Sequence, residues 1–258
     1  MFVRSQYIAI ACFLGLFVVL HFGCDTKSTE HKAVEKSRAQ NFEHISITRV
    51  INEAKDKLPA NAKTALMQMQ EQLSRADSDS TKVNLHKSMA SLWFANEEPL
   101  ISGHHAEQIA LLENSAESWN IAGTTYSIAA QRLEDDLQRQ HASKKSRAAL
   151  ENAISMDSEN IDSKINLALS YVESEAPMRG IMMLKDLNEQ HPDNIPVLMQ
   201  LGKLSIRSGQ MDKAVERFTK VIDLRPTFRE AHCLLADVYA QKGDLELAKK
   251  EKAFCDTK

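Results

Sequence analysis

His104, His105 and Glu107 form the one local set of side chains with the look of a metal-ligand cluster. Adjacent residues on a helix project in different directions, so these imidazoles are expected to be solvated rather than to converge on an ion. Lys203 and Arg207 stand one helical turn apart and face together, a pair suited to an acidic group or a terminal carboxylate. The four cysteines, Cys12, Cys24, Cys233 and Cys255, form no CxxC or CxxCH, so no haem, zinc or thioredoxin-type site is encoded. Cys233 and Cys255 read as buried free thiols, with pairing open to them only in an oxidising compartment. Met178, Met182 and Met183 read as core filling, with a soft contact surface as the sharper alternative. No Gly-rich phosphate loop, HExxH or GxSxG occurs. No catalytic residue, metal or cofactor is therefore assigned, and the expected work is binding, not catalysis.

The elements that must position these residues are helices. Average usage would give a 258-residue chain about 18 Gly and about 13 Pro. It has 8 and 6, with 6% aromatics, which argues against an all-β fold. A net charge of −3 leaves no basic field to attract nucleic acid.

Tyr7 to Phe22 is apolar except for His21, short for a spanning helix and also suited to a signal-peptide core. Either way the chain is directed to a membrane. Residues 1–23 are read first as a retained anchor, because no small-x-small cleavage site follows. Gly23 before Cys24 also resembles a bacterial lipobox, which makes Cys24 a lipidation candidate, although His21 and Phe22 stand where an aliphatic and a small residue belong. Residues 24–40 form a polar linker. The body is placed outside the cytoplasm, although Lys27, Lys32, Lys36 and Arg38 run against a simple positive-inside reading.

Apolar stripes between Phe42 and Glu113, broken at Pro59, at Asp77–Ser80 and at Pro99, give four helices in antiparallel pairs over 41–115. Beyond them the chain repeats. Pro192 and Pro226, Gly209 and Gly243, and Ala214 and Ala248 are each 34 apart, and Leu167, Leu201 and Leu235 share that period. A fixed 34-residue period in a helical chain marks a solenoid. An earlier copy, Trp119 to Tyr126, is displaced by 11 residues, through lengthened helices or a long connection near 135–143. Gly209 and Gly243 end first helices, and Asp212 and Asp244 are placed to cap second ones.

These residues resemble the tetratricopeptide repeat, W-x₂-L-G-x₂-Y, then A-x₃-F, then P. The best fit is Leu198, Leu201, Gly202, Ala214, Phe218 and Pro226. The resemblance divides the chain into repeats at 116–160 (with insertion), 161–194, 195–228 and 229–258, after the divergent hairpins of 41–115. It implies an all-α solenoid of antiparallel helix hairpins with a concave groove, behind an N-terminal membrane anchor. It also implies that a partner lies along first-helix residues: Asn120, Thr124, Ile165, Leu169, Met199, Lys203, Arg207, Cys233 and Asp237. The Lys/Asn set with which co-chaperone members grip a terminal carboxylate is absent, Ile165, Met199 and Cys233 standing in its place.

The expected function is that of a membrane-tethered scaffold holding a protein or peptide partner, its repeats in the periplasm and its anchor in a bacterial inner membrane. A layout of anchor, linker and repeats also resembles envelope assembly factors, including those of cytochrome c maturation. The rival reading is a self-associating envelope scaffold or lipoprotein. Leu247 and Phe254, on the last helix, are its candidate contact edge.

Overall fold

The structure, a computed structural model, describes residues 46–174 and 176–256. Through them run α1 (Ile47–Lys57), α2 (Ala60–Arg75), α3 (Asp79–Ala95), α4 (Pro99–Glu113), α5 (Ala116–Arg132) and α6 (Asp136–Met156). They continue as α7 (Ile161–Val172), α8 (Pro177–Gln190), α9 (Ile195–Arg207), α10 (Met211–Leu224), α11 (Arg229–Lys242) and α12 (Leu245–Cys255). No strand occurs among the described residues. Nor is any helix among them long and apolar enough to cross a membrane. The Tyr7–Phe22 run, the 24–40 linker and Cys24 lie outside the described residues.

Local chemistry sets the helix starts. Ser46, Ser78, Ser115, Asp135, Asn160 and Asn194 each accept a backbone N–H of the first turn that follows, satisfying a donor with no intrahelical partner. Gly209 and Gly243 end α9 and α11 in the left-handed region, at φ 72° and 85°. The two expected aspartate caps are not made. Asp212 lies inside the first turn of α10, behind Gln210, and Asp244 stands at the N-cap of α12 without a side-chain hydrogen bond. Near a helix N-terminus both still act through their charge.

The hairpins α3–α4, α5–α6, α7–α8, α9–α10 and α11–α12 stack in chain order. Each second helix packs on the first helix of the next hairpin, and α5, α7 and α9 touch in series. The result is the expected solenoid. The pairing differs at its start: α1 packs on α4 and α2 on α3, so both cover the α3–α4 hairpin instead of closing as a pair of their own. The displaced copy is resolved as lengthened helices. α5 has 17 residues and α6 has 21, four and seven more than α9 and α10, so the extra three turns extend the hairpin rather than its connection.

Small residues bring the helices together. A Cβ on Gly202 would stand 2.4 Å from Phe218 Cε1, and one on Gly180 only 2.2 Å from the Ala168 carbonyl oxygen. Apolar clusters then follow the stack hairpin by hairpin. Ile165, Ala168, Leu184, Leu187, Val197 and Leu201 join α7, α8 and α9, while Ala214, Phe218 and Val221 of α10 meet Leu198 and Met199 of α9 and Leu235 and Val238 of α11. Of the three clustered methionines only Met183 packs in a core; Met178 and Met182 are exposed, because helical spacing turns them outward from α8.

Candidate partner-binding cleft

Where α5, α7 and α9 lie side by side, their facing residues leave a cleft of about 480 Å³. Its walls carry three amide side chains: Asn120 on α5, Asn166 on α7 and Gln200 on α9. Ile165 forms an apolar base and Asp162 is the one charged residue of the lining. Asn166 Nδ2 donates to Asn120 Oδ1 at 3.1 Å and to Thr124 Oγ1 at 3.2 Å. The Thr124 hydroxyl donates in turn to the Asn120 carbonyl at 2.8 Å. This leaves Asn120 Nδ2, Asn166 Oδ1 and the whole Gln200 amide without a hydrogen-bond partner among the described residues. A donor and an acceptor side by side match the N–H and C=O of a peptide group. The chemistry on offer is therefore hydrogen bonding to an uncharged main chain.

The structure brings Asn120, Thr124 and Ile165 of the expected groove together in this cleft. The others are placed differently. Met199 is buried in the core with Phe218 and Leu235, and Leu169 packs half-buried against the cluster of Ile165 and Leu201. Lys203 pairs with Glu230 at 2.7 Å and Arg207 with Glu173 at 2.6 Å, so both cations tie neighbouring hairpins together. Asp237 is exposed on α11, and Cys233 is bonded to Cys255. Asn166, Gln200 and Asp162 were not foreseen. Asn166 and Gln200 are 34 apart, so the repeat register itself carried the signal.

The disulfide corrects the expectation of free thiols. Cys233 and Cys255 face each other across α11 and α12, with Cα atoms 4.8 Å apart. The reason lies in the register. They stand 34 residues after Met199 and Val221, which share one apolar cluster in the preceding hairpin.

A second correction concerns the histidines. His105 is 7% exposed, not solvated, with its Nδ1 3.0 Å from Nδ1 of His86 on α3. Burial, together with His104 and His86, pushes its pKa down to about 3, so the ring is neutral near pH 7. Burial also lowers His86, His104 and His141. One side of this cluster is a carboxylate bridge: Glu107 accepts from Tyr126 on α5 at 2.8 Å and from Lys145 on α6 at 2.8 and 3.1 Å. Burial and the Glu107 charge push the Tyr126 phenol upward. Among the described residues no set of three or more His, Cys, Asp or Glu is arranged to hold a metal ion. The bonds tie α3, α4, α5 and α6 together, a structural role.

The family model of the tetratricopeptide repeat matches residues 195–228 and 230–251. The chain is similar to a solved structure of MamA protein, with 16% identity over 67% of this chain and 89% of that one, at a TM-score of 0.45. For MamA from Desulfovibrio magneticus the values are 14% identity, 67% and 92% coverage, and a TM-score of 0.46. For YrrB, described as a TPR protein with an unusual peptide-binding site, they are 18%, 72%, 90% and 0.40. No curated protein matches the chain.

Proposed function

We propose that this chain, which carries tetratricopeptide repeats at residues 195–228 and 230–251, is a membrane-tethered scaffold that holds an extended segment of a partner protein in the α5–α7–α9 cleft. Stacked helical repeats offer extended concave surfaces for binding proteins and peptides. The observation that carries the reading is the line of amides from Asn120 through Asn166 to Gln200, with unpartnered donors and acceptors. Such groups pair with backbone amides, so affinity comes from the partner's main chain and selectivity from what fits over Ile165. A terminal carboxylate is the wrong ligand here. The lining holds no cation, and Lys203 and Arg207 are matched by Glu230 and Glu173.

The tether is the Tyr7–Phe22 run. The Cys233–Cys255 bond supports a body outside the cytoplasm, since disulfides persist in oxidising compartments. On this reading the scaffold keeps its partner close to the membrane during envelope assembly.

The test places a photo-crosslinking residue at Gln200 in the full-length chain, in membranes of the native host, with Lys185 on the exposed side of α8 as control. The expected result is a partner crosslinked from Gln200, not from Lys185, and lost in the Asn120→Ala/Asn166→Ala variant. Equal crosslinking from both positions would overturn cleft recognition. Crosslinks only between copies of the chain would replace the partner by self-association.

A further inference from the structure

We infer that α12 is held on the solenoid by a thiol–disulfide lock, and that an external dithiol opens it. The proposal concerns the C-terminal hairpin and is independent of what the cleft binds.

No residue of α12 belongs to the apolar clusters that close the other hairpins. Its only residues that are not exposed are Ala248, Glu251 and Cys255, and of these only Cys255 is buried, at 6% exposure. Spaced by three and four, they form the single stripe turned toward α11. A small side chain, a carboxylate and a sulfur cannot supply the burial that normally docks an amphipathic helix. Leu245 and Leu247 do not help, being exposed.

What joins α12 to α11 is covalent and polar. Cys255 is bonded to Cys233. Glu251 Oε2 lies 2.6 Å from Nδ1 of the buried His232, whose Nε2 faces the Pro226 carbonyl at 2.9 Å. Arg229 Nε donates to the Cys255 carbonyl at 2.6 Å, right beside the disulfide, and the His232 ring stacks on Phe254 with centroids 4.9 Å apart. The disulfide is thus the one strong link at the far end of the helix. The Arg229 hydrogen bond depends on the position of the residue that it holds.

Opening is an ordinary exchange. A thiolate of the dithiol attacks the cystine at Cys233, the less buried of the two residues, and Cys255 leaves as a thiolate that takes a proton. The second thiolate of the reagent then displaces Cys233, which leaves in the same way. Two electrons pass from the dithiol to the cystine, and the reagent departs as its own disulfide. With the bond cut, α12 keeps the Glu251–His232 hydrogen bond and the stack of Phe254 on His232 and separates from α11, while α9 and α10, closed by Phe218 and Val221, stay folded.

The experiment follows backbone hydrogen exchange by mass spectrometry in the full-length oxidised chain, before and after dithiothreitol. Amides of residues 245–255 are expected to exchange roughly a hundredfold faster after reduction, the scale of a disulfide that closes a short loop. Those of α9 and α10 should not change. The Cys233→Ser/Cys255→Ser variant should show the fast pattern with or without the dithiol. Unchanged protection of α12 after reduction would overturn the proposal. So would loss of protection in α9 and α10 together with α12, or alkylation of both cysteines before any reductant is added.

Discussion

The α9–α10 and α11–α12 hairpins run in the same register, 34 residues apart, but different interactions close them. In α10 the inward stripe is Ala214, Phe218 and Val221, all fully buried. The matching positions in α12 are Ala248, Lys252 and Cys255. The small residue is kept, the aromatic becomes a solvated lysine, and the aliphatic becomes half of a disulfide. The long polar residue of each second helix changes as well. Arg217 reaches back to the Leu201 carbonyl at 2.9 Å and to the Ser205 hydroxyl, while Glu251 meets His232. An interior repeat is buried by a neighbour on each side and can rely on apolar area. The α11–α12 hairpin packs on α10, and within it a covalent link joins α12 to α11 where an aromatic plug joins α10 to α9.

The strongest challenge to that contrast is truncation of the apolar plug. Phe218→Ala should cost about 3–5 kcal/mol, and Lys252→Ala less than about 0.5 kcal/mol, by urea unfolding followed through helicity. Equal losses would mean that both hairpins are closed in the same way.

Acid extends the comparison toward the N-terminus, because the histidines that burial holds neutral lie on α3, α4 and α6. An unfolded His105 takes up a proton near pH 6.5, but the folded one refuses it down to about pH 3. Stability is therefore complete above pH 6.5 and falls as the pH drops toward 3. His105 alone should account for about 2 kcal/mol between pH 8 and pH 5. Urea midpoints of the wild type and of His105→Gln at the two pH values check this. A variant just as acid-sensitive as the wild type would assign the effect elsewhere.

The smallest effect should come from the ion pairs between hairpins. Lys203→Gln and Arg207→Gln are each expected to cost less than about 1 kcal/mol, since both pairs are largely exposed. A larger loss in either urea midpoint would show that charge, not apolar burial, sets the order of the stack.

Much of this architecture was legible in the residues. Ser78, Pro99, Gly209 and Gly243 mark helix ends by local chemistry, and the 34-residue spacing of Leu167, Leu201 and Leu235 repeats one burial position. The cleft was legible only in part. Asn120 and Thr124 line the α5–α7–α9 cleft, but Met199 turns inward, because one turn of a first helix faces both the cleft and the core. The histidine pair was misread because spacing along α4 says nothing about α3, which supplies His86.

The sequence by itself determined the helices, their ends, and the solenoid, since capping, glycine conformation and periodic burial act over a few residues or one repeat. Only the tertiary structure decided the partners of side chains from different helices: Lys203 with Glu230, His86 with His105, Cys233 with Cys255. Each pairing depends on the rotation of one helix against another. That rotation is fixed by how tightly small residues such as Gly180 and Gly202 let the backbones approach, and no single segment encodes it.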